Sequence, residues 1–469
     1  MNARFMGITL AIVCVAVPIT LQFMGDRGGG WLGVDFRAYY CAALAQREGD
    51  NPYLAQSLHA CEANAASPYY RPPANVTVPA PYPPYVLVIL APLTLLPFGA
   101  AIWLWWSLLA GCVGLASYAL ARIVAQPFAV GFAALGLSLG LTSFSAGNMM
   151  PLGCAAIVAA AWALHRGRVA LGVGALAVAM LEPQIALPAA IGCFVLYPPS
   201  RVPLTATMAL FGALSVFGAG WNVTISYLTA VLPAHALSEV SRDNQYSLAT
   251  IAGALGVPDA SAALLGSLSY IAMTAVGVIV AARLCRRYEE PALAVLVPPA
   301  FSLLGGSFVH TAEIAAAVPA ALLLATRSSA LRPWFVAALL LLAVPWIYAT
   351  SVVSFVAPFF PVAYLAYVLC ERHRSVALSA ACAAFAAIAT LFWFAASYHP
   401  HIAAHAHIYP FIDPRLAEAS WRAFVLGNST NNPVMWLLRL PTWCGLAVLA
   451  VALVRTAAQR GYVLTAVPV

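Results

Sequence analysis

The apolar positions of this chain come in long runs, at about 5–24, 99–121, 128–143, 150–164, 169–181, 185–197, 202–220, 261–283, 291–304, 310–326, 333–349, 352–370, 376–397 and 434–454. A helix needs about 20 apolar residues to cross a bilayer's hydrocarbon. The pattern therefore predicts an all-α fold, a polytopic integral membrane helical bundle of about 12 to 14 membrane segments. Several runs are too short to cross alone, and Pro183 between two of them predicts a broken helix lining a cavity. The short stretch 84–97, "PYVLVILAPLTLLP", ends at a proline and reads as re-entrant or interfacial. The first run has no small-residue cleavage pattern and only Arg4 as charge before it, so it is expected to be a retained anchor.

Polar residues gather in three longer intervals, about 25–83, 221–260 and 398–433. All 22 basic residues are arginine, a usage expected of a GC-rich bacterial genome. With the N-terminus in the cytoplasm and sides alternating, 14 arginines and three acids fall in inside loops, leaving 8 arginines and 12 acids outside. Short basic loops set topology. The expectation is a multi-pass inner-membrane protein, one integral-membrane domain over 1–469, with both termini cytoplasmic and the three long loops external. A hydrophobic content of 63%, only 8% charged residues and a mean hydropathy of +0.88 exclude a soluble domain and make membrane lipid its surroundings. The scattered arginines form no patch for nucleic acid, whatever the net charge of +7.

The first polar loop contains "GVDFRAYYCAALAQREGDNPY", Gly33 to Tyr53. It predicts a helix closed by Gly49, with Phe36, Tyr39, Tyr40, Ala43 and Leu44 on one stripe that can lie on a membrane. Asp35 is either the N-cap of that helix or a carboxylate whose low-dielectric setting suits it to act as a base. Cys41 and Cys61 can pair if the loop faces an oxidising compartment; the other eight cysteines lie in apolar runs. His399, His401, His405 and His407 sit between prolines with no carboxylate nearby, so they read as a loop, and no metal site or cofactor is expected. Tyr69, Tyr70, Tyr82 and Tyr85 form either an interfacial belt or a platform for a sugar.

The stretch "DFRAYYCAALAQREGDNPY" followed by "YPPYVLVILAPLTLLPFGAAIWLWW" resembles the start of glycosyltransferase family 87. Further matching pieces keep the family's order over about two thirds of the chain: "GNMMPL" from Gly147, "EPQIALP" from Glu182, "NQYSLATIAGALG" from Asn244 and "SFVHTAEIAAAVPAALLL" from Ser307. The resemblance implies a GT-C-like bundle and an inverting transfer of a sugar, mannose first, on the non-cytoplasmic face. The donor would be a polyprenyl-phosphate sugar and the acceptor a lipid or glycan. It makes Asp35 the base that takes the acceptor's proton and His310 a donor-site residue. The leaving phosphate needs cations or hydrogen-bond donors, for which Arg37, Arg71 and Arg242 are candidates beside His310. Tyr39, Tyr82, Glu182, Gln184, Asn244, Gln245 and Glu313 complete the expected cavity, with Glu313 one turn beyond its partner His310. The chain departs from the family at Glu182, where a lysine is usual, and in lacking a tryptophan before His310.

The competing class is a proton-coupled transporter or lipid flippase, with Glu182, Glu313 and His310 as an intramembrane relay and the Pro183 break as its midplane site. The predicted positions of these groups at outer ends of spans favour the transferase.

Overall fold

The structure is a computed structural model and describes residues 32–65, 77–242, 244–348, 358–370, 415–428 and 433–459, with isolated positions within 16–24 and 384–390. Most of the segments 5–24 and 376–397, Arg71, Tyr69, Tyr70 and the four histidines of 399–407 lie outside the described residues.

Among the described residues the secondary structure is helical, with no named strand. The first polar loop folds as α1 (Val34–Glu48) and α2 (Ala55–Asn64), followed by the short α3 (Pro84–Leu90), which a 3-10 turn continues to Leu95. Next come α4 (Phe98–Ile123), α5 (Phe128–Ser143), α6 (Met150–His165), α7 (Val169–Ala179), α8 (Pro183–Leu196) and α9 (Arg201–Ala219). The second loop holds α10 (Trp221–Ser226), a π turn, α11 (Leu232–Glu239) and α12 (Leu248–Ala254). Then follow α13 (Asp259–Tyr288), α14 (Leu293–Ser302), α15 (Val318–Arg327), α16 (Arg332–Leu342), α17 (Phe359–Leu369), α18 (Ala417–Asn428) and α19 (Pro433–Ala458).

Prolines set many of these starts: Pro97, Pro127 and Pro258 stand at N-cap positions, and Pro84, Pro151 and Pro183 in the first turn. A first-turn proline removes only an N–H that has no helical partner. The expected break at Pro183 is present as the interval 180–182 between α7 and α8. One expectation fails: 310–326 is not one helix. It is a 3-10 stretch, Thr311–Ala317, leading into α15.

Among the described residues, four helices are long and apolar enough to cross a membrane: Phe98–Ile123, Pro198–Ala219, Asp259–Tyr288 and Met435–Ala458. The other apolar helices are shorter, at 10–17 residues. Outer faces carry bare apolar side chains, such as Val202 and Phe217 on α9 and Leu268 and Ile279 on α13, a surface suited to lipid. Inside, Gly131 lets α5 rest on the α4 backbone, since an added Cβ would meet the Ser117 carbonyl.

The bundle has two unlike ends. Helix α13, about 45 Å long by its 30 residues, starts where Arg422 pairs with Asp259 at 2.7 Å. Its far end is rich in arginine: Arg287 donates to the Gln459 carbonyl at 2.7 Å, Glu290 joins His165 and Arg327, and Arg455 lies over Trp334. The titratable cavity described next opens beside the first turns of α13, away from that arginine-rich end.

Candidate active site

A cavity of about 980 Å³ gathers most of the chain's chemistry-bearing side chains. Of the predicted residues, Asp35, Tyr39, Tyr82, Glu182, Gln184, Arg242, Asn244, His310 and Glu313 line it. Four residues that sequence reasoning did not select line it too: Asn148, His235, Glu239 and Trp421.

Asp35 is held by backbone. The cap of α1 is Gly33, at φ 73°, so Asp35 is not the N-cap but the second residue of the helix, and its carboxylate is free for other work. The N–H groups of Gly33 and Asp35 donate to the carbonyls of Ser145 and Ala146 at 2.6 and 2.9 Å. Phe36 stacks on Trp105 with ring centres 5.2 Å apart, and the Trp105 indole donates to the Gly147 carbonyl at 2.8 Å. Gly147 has a φ of 72°, and a Cβ there would come within 2.8 Å of the Phe36 Cβ. The "GN" of "GNMMPL" is thereby explained: glycine admits α1, and Asn148 then donates its amide to Asp35 Oδ2 at 2.9 Å. The Met150 N–H donates to Asn148 Oδ1 at 2.9 Å, which fixes the amide's orientation. Burial raises the Asp35 carboxyl above its ordinary range, while the Asn148 hydrogen bond and the charges of Arg242 and His310 pull it back.

Beyond Asp35 runs a line of hydroxyls. Asn148 also reaches the Tyr39 hydroxyl at 3.5 Å, that hydroxyl lies 3.4 Å from the Tyr82 hydroxyl, and Tyr82 donates to Glu182 Oε1 at 2.7 Å.

A second group centres on Glu239, fully buried at the end of α11. Arg242 donates to both its oxygens at 3.2 and 3.1 Å, Trp421 donates its indole N–H at 3.0 Å, and Gln245 donates its amide. Burial pushes the Glu239 carboxyl up, but the charge of Arg242 and the hydrogen bond and charge of His310 outweigh it and hold the group well below the usual carboxylate range. His310 Nε2 lies 3.2 Å from Glu239 and Nδ1 lies 3.2 Å from Glu313. An imidazole with a carboxylate on each nitrogen is arranged as the doubly protonated cation. Gln184 donates to Glu313 at 2.8 Å, and Arg242 lies over the Trp421 ring at 5.0 Å.

His235, Glu239 and His310 are near enough, within 4.8 Å, to suggest a metal. The surrounding charges argue against one. Both Glu239 oxygens are already engaged by donors, and the Arg242 guanidinium stands 3.3 Å from His310 Nε2. A divalent ion there would meet a fixed positive charge at van der Waals range.

Two predicted phosphate or cavity residues lie elsewhere. Arg37 does not line the cavity; it is fully buried and faces Glu62 at 3.6 Å. Gln245 lies behind the cavity, joining Glu239 to the Val309 N–H, which donates to it at 2.7 Å. Cys41 and Cys61 form a disulfide that ties α1 to α2. The first loop is anchored further by α18: the Ala55 N–H donates to the Arg415 carbonyl, and the Ala417 N–H to the Tyr53 carbonyl, both at 2.9 Å.

The model of glycosyltransferase family 87 matches residues 81–308. The match spans Tyr82, Asn148, Glu182, Glu239 and Arg242; Asp35 precedes it and His310 follows it. No curated protein matches the chain, and no solved structure does.

Proposed function

This chain belongs to glycosyltransferase family 87, and from that premise we propose that it moves a sugar from a polyprenyl-phosphate donor to a lipid or glycan acceptor, with inversion at the anomeric carbon. The observation that carries the reading is that one cavity joins Asp35, a carboxylate with no salt-bridge partner among the described residues, to a cationic pair, Arg242 and His310.

The division of labour follows from chemistry. A sugar hydroxyl is a weak nucleophile, and a positioned carboxylate of raised pKa takes its proton as it attacks. Asp35 takes that role. The acceptor oxygen forms its bond to the anomeric carbon as the carbon–oxygen bond to phosphate breaks. The electron pair leaves on the polyprenyl phosphate, whose added charge Arg242 and His310 stabilise. Glu239 and Glu313 hold His310 charged and aimed, and Trp421 backs Arg242. Asn148 positions Asp35. The exposed apolar flanks of α9 and α13 suit a lipid-embedded donor tail. The arginine-rich far end fits the cytoplasmic side by the rule for basic loops, which supports a cavity on the non-cytoplasmic side of an inner membrane. Mannose is the first sugar to test.

The transporter reading loses its support at the same residues. Asp35, Glu182, Glu239 and His310 all sit at helix ends or in the loops beside them, around one cavity, rather than along the middle of a span.

The test is turnover by purified protein in lipid nanodiscs supplied with polyprenyl-phosphate mannose and a bacterial envelope lipid extract. Release of polyprenyl phosphate coupled to a mannosylated product is expected. If mannose, arabinofuranose and glucose donors and their amino-sugar counterparts all remain intact, the reading is wrong.

A further inference from the structure

Glu182 is 7% exposed and lines the cavity, yet it does no evident structural work. It stands at the N-cap of α8 without capping that helix through its side chain. Space is made for it: a Cβ on Gly153 would lie 2.7 Å from the Glu182 Cβ, so glycine is what lets α6 pass. Its Oε1 accepts one hydrogen bond, from the neutral Tyr82 hydroxyl at 2.7 Å, and Oε2 accepts none from the described residues. Glu239 and Glu313 both have cationic partners within 3.2 Å. A buried carboxylate has room for about four hydrogen bonds and is costly to hold ionised without a cation. Beside it the Tyr39 and Tyr82 rings meet edge to face, centres 5.0 Å apart, and their hydroxyls lie 3.4 Å from each other.

A ligand that brings its own positive charge would complete this arrangement. We propose that Glu182 is a specificity-determining carboxylate for an amino sugar, whose ammonium group it accepts beside the Tyr82 hydroxyl. The inference rests on the glycosyltransferase reading and names its substrate class. An ammonium group supplies three donors at once, one for Oε2 and others for the Tyr82 and Tyr39 oxygens. A hydroxyl at the same place would leave the charge unmatched. A metal ion would need further oxygens, and the neighbouring Asp35 Oδ2 is engaged by Asn148.

The amino group can belong to donor or acceptor, and two assay arms separate them. One uses short polyprenyl-phosphate esters of glucosamine, galactosamine and mannosamine, each compared with its N-acetyl and hydroxyl forms. The other uses the methyl glycosides of the same nine sugars as acceptors. In at least one arm the free amine should exceed the hydroxyl form in kcat/KM by about 10- to 100-fold, the scale of a hydrogen bond to a charged group. Glu182→Gln keeps the shape and the Tyr82 bond, and should bring that ratio to about one, with the thermal transition recorded beside it. If that variant does not fold, the wild-type ratio decides. It should fall toward one as pH passes the pKa of the amine, about 8, and a ratio flat across that range overturns the proposal. So does a hydroxyl form that equals the amine in every series, a preference that survives Glu182→Gln, or a dependence on added divalent ion without amine preference. Transfer without amine preference sinks this inference alone; no transfer from any donor sinks the glycosyltransferase reading with it.

Discussion

Replacing Asp35 with asparagine separates chemistry from architecture. Asp35 does not cap α1, so no cap is lost. Its one hydrogen bond, from Asn148 at 2.9 Å, can be accepted equally by an asparagine oxygen. The substitution removes a desolvated charge and little else, and folding stability should stay within about 1 kcal/mol of wild type, the worth of one hydrogen bond. Arg242 and His310 keep their partners in Glu239 and Glu313, so donor binding should persist. Asparagine cannot take a proton, and loss of a general base lowers the rate by about 100- to 10,000-fold. The assay is single-turnover transfer from polyprenyl-phosphate sugar in nanodiscs, with donor affinity and thermal midpoint measured on the same preparations. A variant that keeps more than about a tenth of the wild-type rate, far above that range, would refute the assignment and move the search for a base to Glu182, Glu313 or His310.

His310→Ala should lower kcat by about 100-fold, the usual effect of losing one transition-state donor, and raise the donor KM; unchanged values of both would remove His310 from the phosphate site. Gly147→Ala forces a left-handed φ on alanine and pushes on Phe36, so kcat should fall by about 100-fold, as for a misplaced catalytic group, and normal activity would show that the turn does not position Asp35. Reducing Cys41–Cys61, or replacing both by serine, should cost about 3 kcal/mol for a loop of 20 residues; an unshifted thermal midpoint would contradict this. The rate should fall as pH drops through an Asp35 pKa above its ordinary 3.8. The folded state holds that proton more tightly than the unfolded chain does, so the Asp35 contribution to stability is greatest below 3.8 and declines as pH rises through the folded value. An acid limb that survives in Asp35→Asn would assign it to another group.

Much of the fold was legible because apolar run length and proline position are local signals, as the starts at Pro84, Pro127 and Pro183 show. The 3-10 stretch at Thr311–Ala317 was not, since its alanine-rich sequence reads as the start of an ordinary helix. In the site, Asp35 stood out as an isolated acid beside a hydrophobic run. Simple geometry separates Arg37 from Asp35: two residues along a helix turn about 200°, so Asp35 facing the cavity leaves Arg37 facing Glu62. Glu239 had one available signal, the only acid in 221–242, three residues before Arg242. Asn148 and Trp421 had almost none, because their partners lie 113 and 182 residues away and only tertiary packing joins them.

The most direct test of the account is a cryo-EM structure of the Asp35→Asn protein in nanodiscs with a polyprenyl-phosphate sugar. The account predicts phosphate density against Arg242 and His310. It also places the anomeric carbon so that an oxygen lodged beside residue 35 lies about 3 to 3.5 Å from it, as a near-attack geometry requires. Donor density outside this cavity, or a phosphate that leaves Arg242 and His310 untouched, would contradict it.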